Sequence, residues 1–562
     1  MTLKYKAYIL VGGLFLLNSC SKTLDINDNP NDPTSLAVSR LLPTTEVGLS
    51  NSLAIGAGLS QDLAVYTHQM STREAPDQYG VTGDEFYLGN SWDRMYLTTI
   101  ANLDEIITAA TAQENTYYAG IAQVLKAYAY SQMVDVFGDV PFTQTGQLLQ
   151  DNPYPEFDKG VDIYPKLFEL LDAGLANLND NTVGKNSLKP TTDDLIYGGS
   201  VTKWIKAANT IKLKLYTQIR KVQDVKTQVT ALLSSGNLIS TTAEGFLMPY
   251  GPNGATDDRN PGFGDYTATQ RSNHVSPWFY EILQGYNKFV NTNIPDPRVP
   301  YYIYNQLTVD EEPDNATEYR DGAFVSIYFG SHGENAAKSQ QNSISLFGIY
   351  PVGGRYDDGE GGVASASSGT GAAPYRFITY ADRLYLEAEL IQAGVITGDS
   401  RAVLQAAMKE SFKQIDYVIT TYVSPSQTVP SIYSEAATSP MVKYINSILT
   451  NFDNGNSDKK LENIMTQKWL SSVGSSVDQY TDYRRTGYPL MFNPEDPTQA
   501  PNHIVQPPIN GDPMNPGAQK SVEVGSSRAY PYTLPWPQSE LETNPNAPVQ
   551  KTPSTFKPFW IQ

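Results

Sequence analysis

Along much of this chain apolar residues recur at spacings of three and four, which places them on one face of an α-helix. Ile121, Val124, Leu125, Tyr128 and Ala129 follow that period, as do Trp204, Ala208, Ile211, Leu215 and Ile219, and Leu384, Ala388 and Ile391. The same pattern predicts helices over roughly 98–112, 161–178, 400–420, 436–450 and 460–471. Several come as neighbours, such as 98–112 with 117–136. Helix pairs stacked one on the next suggest a TPR-like scaffold, although no clean repeat of roughly 34 residues recurs.

Between the helices the period disappears. Residues 245–275 are rich in Gly, Pro, Asn and Asp, 351–374 are Gly/Ser-rich, and 486–550 hold many prolines. Long irregular segments on a rigid scaffold are natural places for a binding surface. The expected fold is mainly α, a TPR-like helical-repeat scaffold with a loop-rich variable lobe, roughly 240–375 and 486–550, and a few short strands.

The N-terminus breaks the pattern differently. Lys4 and Lys6 precede an apolar run, Ala7 to Leu17, that is too short to span a bilayer and ends at Leu17-Asn18-Ser19-Cys20. This is the layout of a secretory signal peptide closed by a lipoprotein-type cysteine, with residues 1–19 removed and Cys20 lipidated. Residues 21–35, polar, acidic and interrupted by Pro30 and Pro33, read as a flexible spacer after the anchor; together they give an anchor-and-spacer segment 20–35 and a body 36–562.

Composition narrows the function. Cys20 is the only cysteine, so disulfides and thiolate zinc sites are excluded. A net charge of -19 without a long basic run argues against nucleic-acid binding. His68, His274, His332 and His503 form no HExxH pair, and neither a GxSxG elbow nor a phosphate loop occurs. With 59 acidic residues, a carboxylate pair for glycoside cleavage stays open. No motif calls for a cofactor or a metal.

The 37 tyrosines and 6 tryptophans offer flat apolar faces with polar tips, suited to sugars or peptides as well as to helix packing. Sugar recognition needs an aromatic face beside planar polar groups. Two loop regions combine both. The first holds Arg73, Asp77, Gln78, Tyr79, Asp84, Phe86 and Tyr87, just before Trp92. The second holds Asp265, Tyr266, Arg271, Asn273, His274, Trp278 and Tyr280; Arg355, Tyr356 and Asp357 form a third candidate. The ligand-contact candidates are Arg73, Asp77, Tyr79, Tyr87, Trp92, Tyr266, Arg271, Asn273, Trp278 and Tyr356. Trp92 and Tyr96, four apart, suit the core of the first helix pair better than a ligand contact.

An ordered set of motifs adds a family. DVFGDVPF runs from Asp135 and is followed by Pro155-Glu-Phe-Asp158, Ile163-Tyr164 and a helix ending LLDAGLANL. Tyr197-Gly-Gly-Ser200 precedes KWIKAANTIKLKLYTQI from Lys203. ITYADRLYLEAEL from Ile378, ENIMTQKW from Glu462, DYRRTGYP from Asp482 and Leu534-Pro-Trp-Pro537 complete the order. This order resembles the SusD/RagB family of Bacteroidetes outer-membrane nutrient-binding lipoproteins, in its SusD-like branch. The resemblance implies a non-enzymatic surface protein that binds a glycan, or in some branches a peptide, and delivers it to a partner SusC-type TonB-dependent transporter. The quoted motifs are mostly scaffold in that family, and none is assigned a ligand. A surface glycosidase is the rival from a different class.

Overall fold

A computed structural model describes residues 37–72, 78–147, 152–251, 258–268, 271, 273–314, 318–333, 338, 341–505 and 521–562. Cys20, the 1–35 leader and spacer, Arg73 and Asp77 lie outside the described residues. The expected helices form as Ala101–Ala112, Thr116–Phe137, Gly160–Leu178, Val201–Ile219, Tyr380–Gln392, Ser400–Val418, Pro440–Asn454 and Ser457–Ser471. Each of the first three packs on the next, and Tyr380–Gln392 packs on Ser400–Val418 and on Ser457–Ser471. The fold is mainly α, as the sequence implies, and among the described residues strands occur only as short antiparallel pairs.

Local chemistry sets these elements. Thr379 and Asp382 form a reciprocal capping box, and Asp399, Ser439 and Asn456 cap the helices that follow them. The Gly in LLDAGLANL lets two helices touch: a Cβ on Gly174 would lie 3.0 Å from Val124 Cγ2, and one on Gly120 only 2.9 Å from Gly174 O. The Tyr197-Gly-Gly-Ser200 turn is tied by Asp194. Its carboxylate accepts from the N–H of Tyr197 at 3.0 Å, of Gly199 at 2.7 Å and of the Trp204 indole at 2.8 Å.

Three helices of ten or more residues go beyond those expected from the sequence: Val38–Leu53, Lys226–Ser235 and Ser476–Thr486. The first buries Thr45, Glu46, Ser50 and Ser52 beside its leucines. The last buries Asp482, Arg484 and Arg485. Polar residues bonded inside the core hide the apolar stripe from the sequence. Glu389 accepts from Arg485 at 3.0 Å and pairs with Arg220 at 2.8 Å. Arg485 also donates to Asp482 at 2.7 Å. Arg484 donates to the carbonyls of Asp135 and Tyr532, each at 2.6 Å. DYRRTGYP is thus a buried clasp between scaffold helices.

The Gly/Ser-rich segment 351–374 is packed at its two ends and largely exposed in its middle. Val352 and Ala364 belong to a small apolar cluster with Phe263, Tyr266, Tyr304, Ile344 and Leu346, separate from the main core.

Candidate functional site

Strand Met70–Thr72 pairs antiparallel with Asn273–Val275, setting Met70 opposite Val275 and Thr72 opposite Asn273. This pairing joins the two loop regions that the sequence nominates. It is anchored to the helical body. Ser276 N donates to Gln69 O at 3.0 Å, Gln69 donates to Trp469 O at 2.9 Å, and the Trp469 indole donates to Thr67 O at 3.0 Å.

After Asn273–Val275, Ser276 adopts an extended conformation and Pro277 opens the helix Pro277–Gln284, a position where its missing N–H costs nothing. That start fixes Trp278. Its indole donates to Leu490 O at 3.1 Å and leaves the residue 8% exposed. Phe289 stacks beside it at 6.2 Å and 29°, and is 36% exposed, so Phe289 presents the open aromatic face.

A continuous run of rings leads from this pair to the first loop region. Trp278 meets Phe492 at 5.7 Å, Phe492 meets His68 at 6.4 Å, His68 meets Phe329 at 4.3 Å, and Phe329 meets Tyr79 at 4.9 Å. Tyr79 OH and His68 Nε2 are hydrogen-bonded at 3.0 Å. Burial pushes the His68 imidazole down to about 3, so it is neutral and acts as packing.

Beside Trp278, Phe289, Phe329 and Phe492 opens a cleft of about 250 Å³, also lined by Glu281, Lys288, Gln499 and Ile504. Asn287 shapes the loop beneath Phe289: its side-chain Oδ1 accepts from Phe289 N at 2.9 Å and Val290 N at 3.0 Å. Glu281 accepts from Tyr319 OH at 3.2 Å. Burial raises its carboxyl to about 7, against the lowering effect of Tyr319 and Lys288. The cleft therefore offers an apolar face, one titratable carboxyl and one exposed ammonium.

The other nominated residues go elsewhere. Tyr266 and Arg271 sit in the small apolar cluster: Arg355 N donates to Tyr266 OH at 3.2 Å, and Arg271 donates to Tyr266 O at 3.1 Å and Ala364 O at 3.2 Å. Tyr356 packs on Tyr301 at 5.0 Å. Tyr87 lies half-buried with the exposed Phe86 at 5.8 Å. Trp92 is 3% exposed, packed on Tyr96 at 4.9 Å and Phe137 at 5.1 Å. The structure thus brings Tyr79 and Trp278 into one aromatic run and sets Tyr266, Arg271, Tyr356, Tyr87 and Trp92 apart from it. Phe289, Phe329 and Phe492 were missed because each is a lone phenylalanine in a segment without period; only their tertiary convergence marks them. Among the described residues no group of three or more His, Cys, Asp or Glu could hold a metal ion, and no helix is long and apolar enough to cross a membrane.

A TPR-like helical body with few short strands is the fold of the SusD-like proteins. Solved structures share it. A chitin-binding protein aligns with a TM-score of 0.64 at 19% identity, over 91% of this chain and 95% of its own. A SusD/RagB family protein from Bacteroides thetaiotaomicron aligns at 0.63 with 18% identity, over 91% and 95%. A SusD homologue from Bacteroides uniformis aligns at 0.58 with 17% identity, over 93% and 99%. Comparison with curated proteins gives no match. The SusD-like family model, described as starch-binding and associating with the outer membrane, matches residues 30–508. The chain belongs to this family.

Proposed function

We propose that the protein binds a glycan in the cleft beside Trp278 and Phe289 and delivers it to a SusC-type TonB-dependent transporter, with no cleavage of its own. The observation that carries this reading is the cleft itself, where the half-open ring of Phe289 stands against the buried Trp278, Phe329 and Phe492. A pyranose ring stacks its C–H face on such a surface, and flanking polar groups read its hydroxyls. Phe289 supplies the open face, Trp278 backs it, and Lys288, Gln499 and Glu281 are the polar groups at hand. Membership of a family described as starch-binding supports the ligand class, and its outer-membrane association supports the setting. Lipid on Cys20 would hold the body there, with residues 21–35 as the strap.

The test is calorimetry of the purified body, residues 36–562, against a panel of polysaccharides, paired with an assay for released reducing ends. Binding without product supports the proposal. Release of reducing sugar would transfer the protein to the glycosidases. Binding only to oligopeptides would keep the carrier and change its cargo.

A further inference from the structure

Away from the aromatic cleft, a second cavity of about 410 Å³ lies between the helical stretch 92–104, the loop residues 141–147 and 152–155, and the C-terminal helix Gln538–Thr543. Its size falls within the range of roughly 300–1,000 Å³ usual for small-ligand sites. One wall is aromatic and apolar: Trp92, Tyr96, Leu97 and Tyr154. Leu97 is 72% exposed and Tyr154 46%, so apolar surface there lacks a cover.

The charge of this cavity is one-sided. Asp93, Asp104 and Glu540 line it, and among the described residues no basic side chain does. Asp104 is neutralised by Lys126. Asp93 and Glu540 have no ion-pair partner among the described residues. Glu540 is instead held in place by neutral donors, the Trp92 indole at 3.4 Å and the Asn544 amide at 2.9 Å. The cavity thus sets an oriented carboxylate beside aromatic rings and leaves two negative charges uncompensated.

We propose that this cavity binds an organic cation: an ammonium or guanidinium group on an apolar stem. Tyr96 and Tyr154 attract such a cation through their negative ring faces, Glu540 and Asp93 supply charge-assisted hydrogen bonds, and Leu97 covers the stem. A free amine and a Lys or Arg side chain of a peptide share this chemistry. The site is separate from the glycan cleft and does not depend on it.

The experiment titrates the purified 36–562 chain with two cationic probes, phenethylammonium and acetyl-Gly-Arg-Gly-amide. Each is compared with a neutral counterpart, 2-phenylethanol and the citrulline peptide. Both cations are expected to bind at least tenfold more tightly than their counterparts, and added salt weakens them. The tighter of the two identifies the source of the cation. Glu540→Gln is expected to remove at least tenfold of that affinity while leaving glycan binding unchanged. Asp93→Asn, at an exposed helix position, gives a second reading if Glu540→Gln disturbs the fold. Equal binding of cation and neutral counterpart, or no binding of either cation up to about 10 mM, overturns the proposal.

Discussion

Trp278 and Phe492, distant in sequence, meet with ring centroids 5.7 Å apart, and the Trp278 indole is held by the carbonyl of Leu490 at 3.1 Å. This contact ties the mid-chain lobe to the segment that follows the last scaffold helix. It makes Trp278 a structural pillar of the cleft and leaves Phe289 as its accessible face.

The two rings should therefore respond differently to removal. Phe289→Ala is expected to weaken glycan binding at least tenfold, about 1.4 kcal/mol, with little change in unfolding midpoint. Trp278→Ala is expected to lower both affinity and stability, the latter by about 3–5 kcal/mol as for other buried aromatics. Calorimetry and urea denaturation on the same samples separate the two. Unchanged affinity in Phe289→Ala would move the ligand away from this cleft.

Glu281 gives the cleft a pH dependence. Its carboxyl is raised by burial from 4.5 to about 7 in the folded chain, so between those values the folded state holds a proton that the unfolded state has released. The stability it contributes is fully present below about 4.5 and is lost as pH rises through about 7. Glu281→Gln should flatten the stability–pH curve in that window. Denaturation midpoints from pH 4 to 8 in wild type and variant provide the check. A parallel pair of curves would show that Glu281 is not the group responsible.

The clasp built on Glu389 should be costly to break. Glu389→Ala leaves the Arg220 and Arg485 guanidinium groups buried without their shared carboxylate, and about 3–5 kcal/mol of stability is expected to disappear. Replacing Glu389, Arg220 and Arg485 together with Leu, Met and Met should recover much of it. Chemical denaturation measures both. A single variant as stable as wild type would mean that water reaches the clasp.

Cys20 is the proposed anchor. Cys20→Ala should shift the protein out of the membrane fraction, while the purified full-length variant keeps its glycan affinity. Fractionation and calorimetry test the two halves. Lost affinity would make Cys20 part of the fold.

Much of the scaffold was legible because its helices repeat apolar residues at a helical period and are short-range in origin. Leu167, Leu171, Gly174 and Leu178 lie along one face of Gly160–Leu178 and are buried, as their spacing requires. Val38–Leu53 and Ser476–Thr486 were illegible for a specific reason. Their inward faces carry Glu46, Arg484 and Arg485, whose partners Leu195, Asp135 and Glu389 are remote in sequence. A buried polar residue reads as a surface residue until its partner is known.

The site divides along the same line. Local sequence nominated Tyr79 and Trp278 from the company of polar and turn-forming neighbours. It could not distinguish them from Trp92, which fills the helix core, or from Tyr266, which closes a small cluster in the lobe.

The sequence by itself determined the helical body and the family, because periodicity and motif order are properties of neighbouring residues. Which aromatic residues share a surface was decided by tertiary structure alone. The pairing of Met70–Thr72 with Asn273–Val275 and the contact of Trp278 with Phe492 bring together residues hundreds of positions apart, and no local pattern records that proximity.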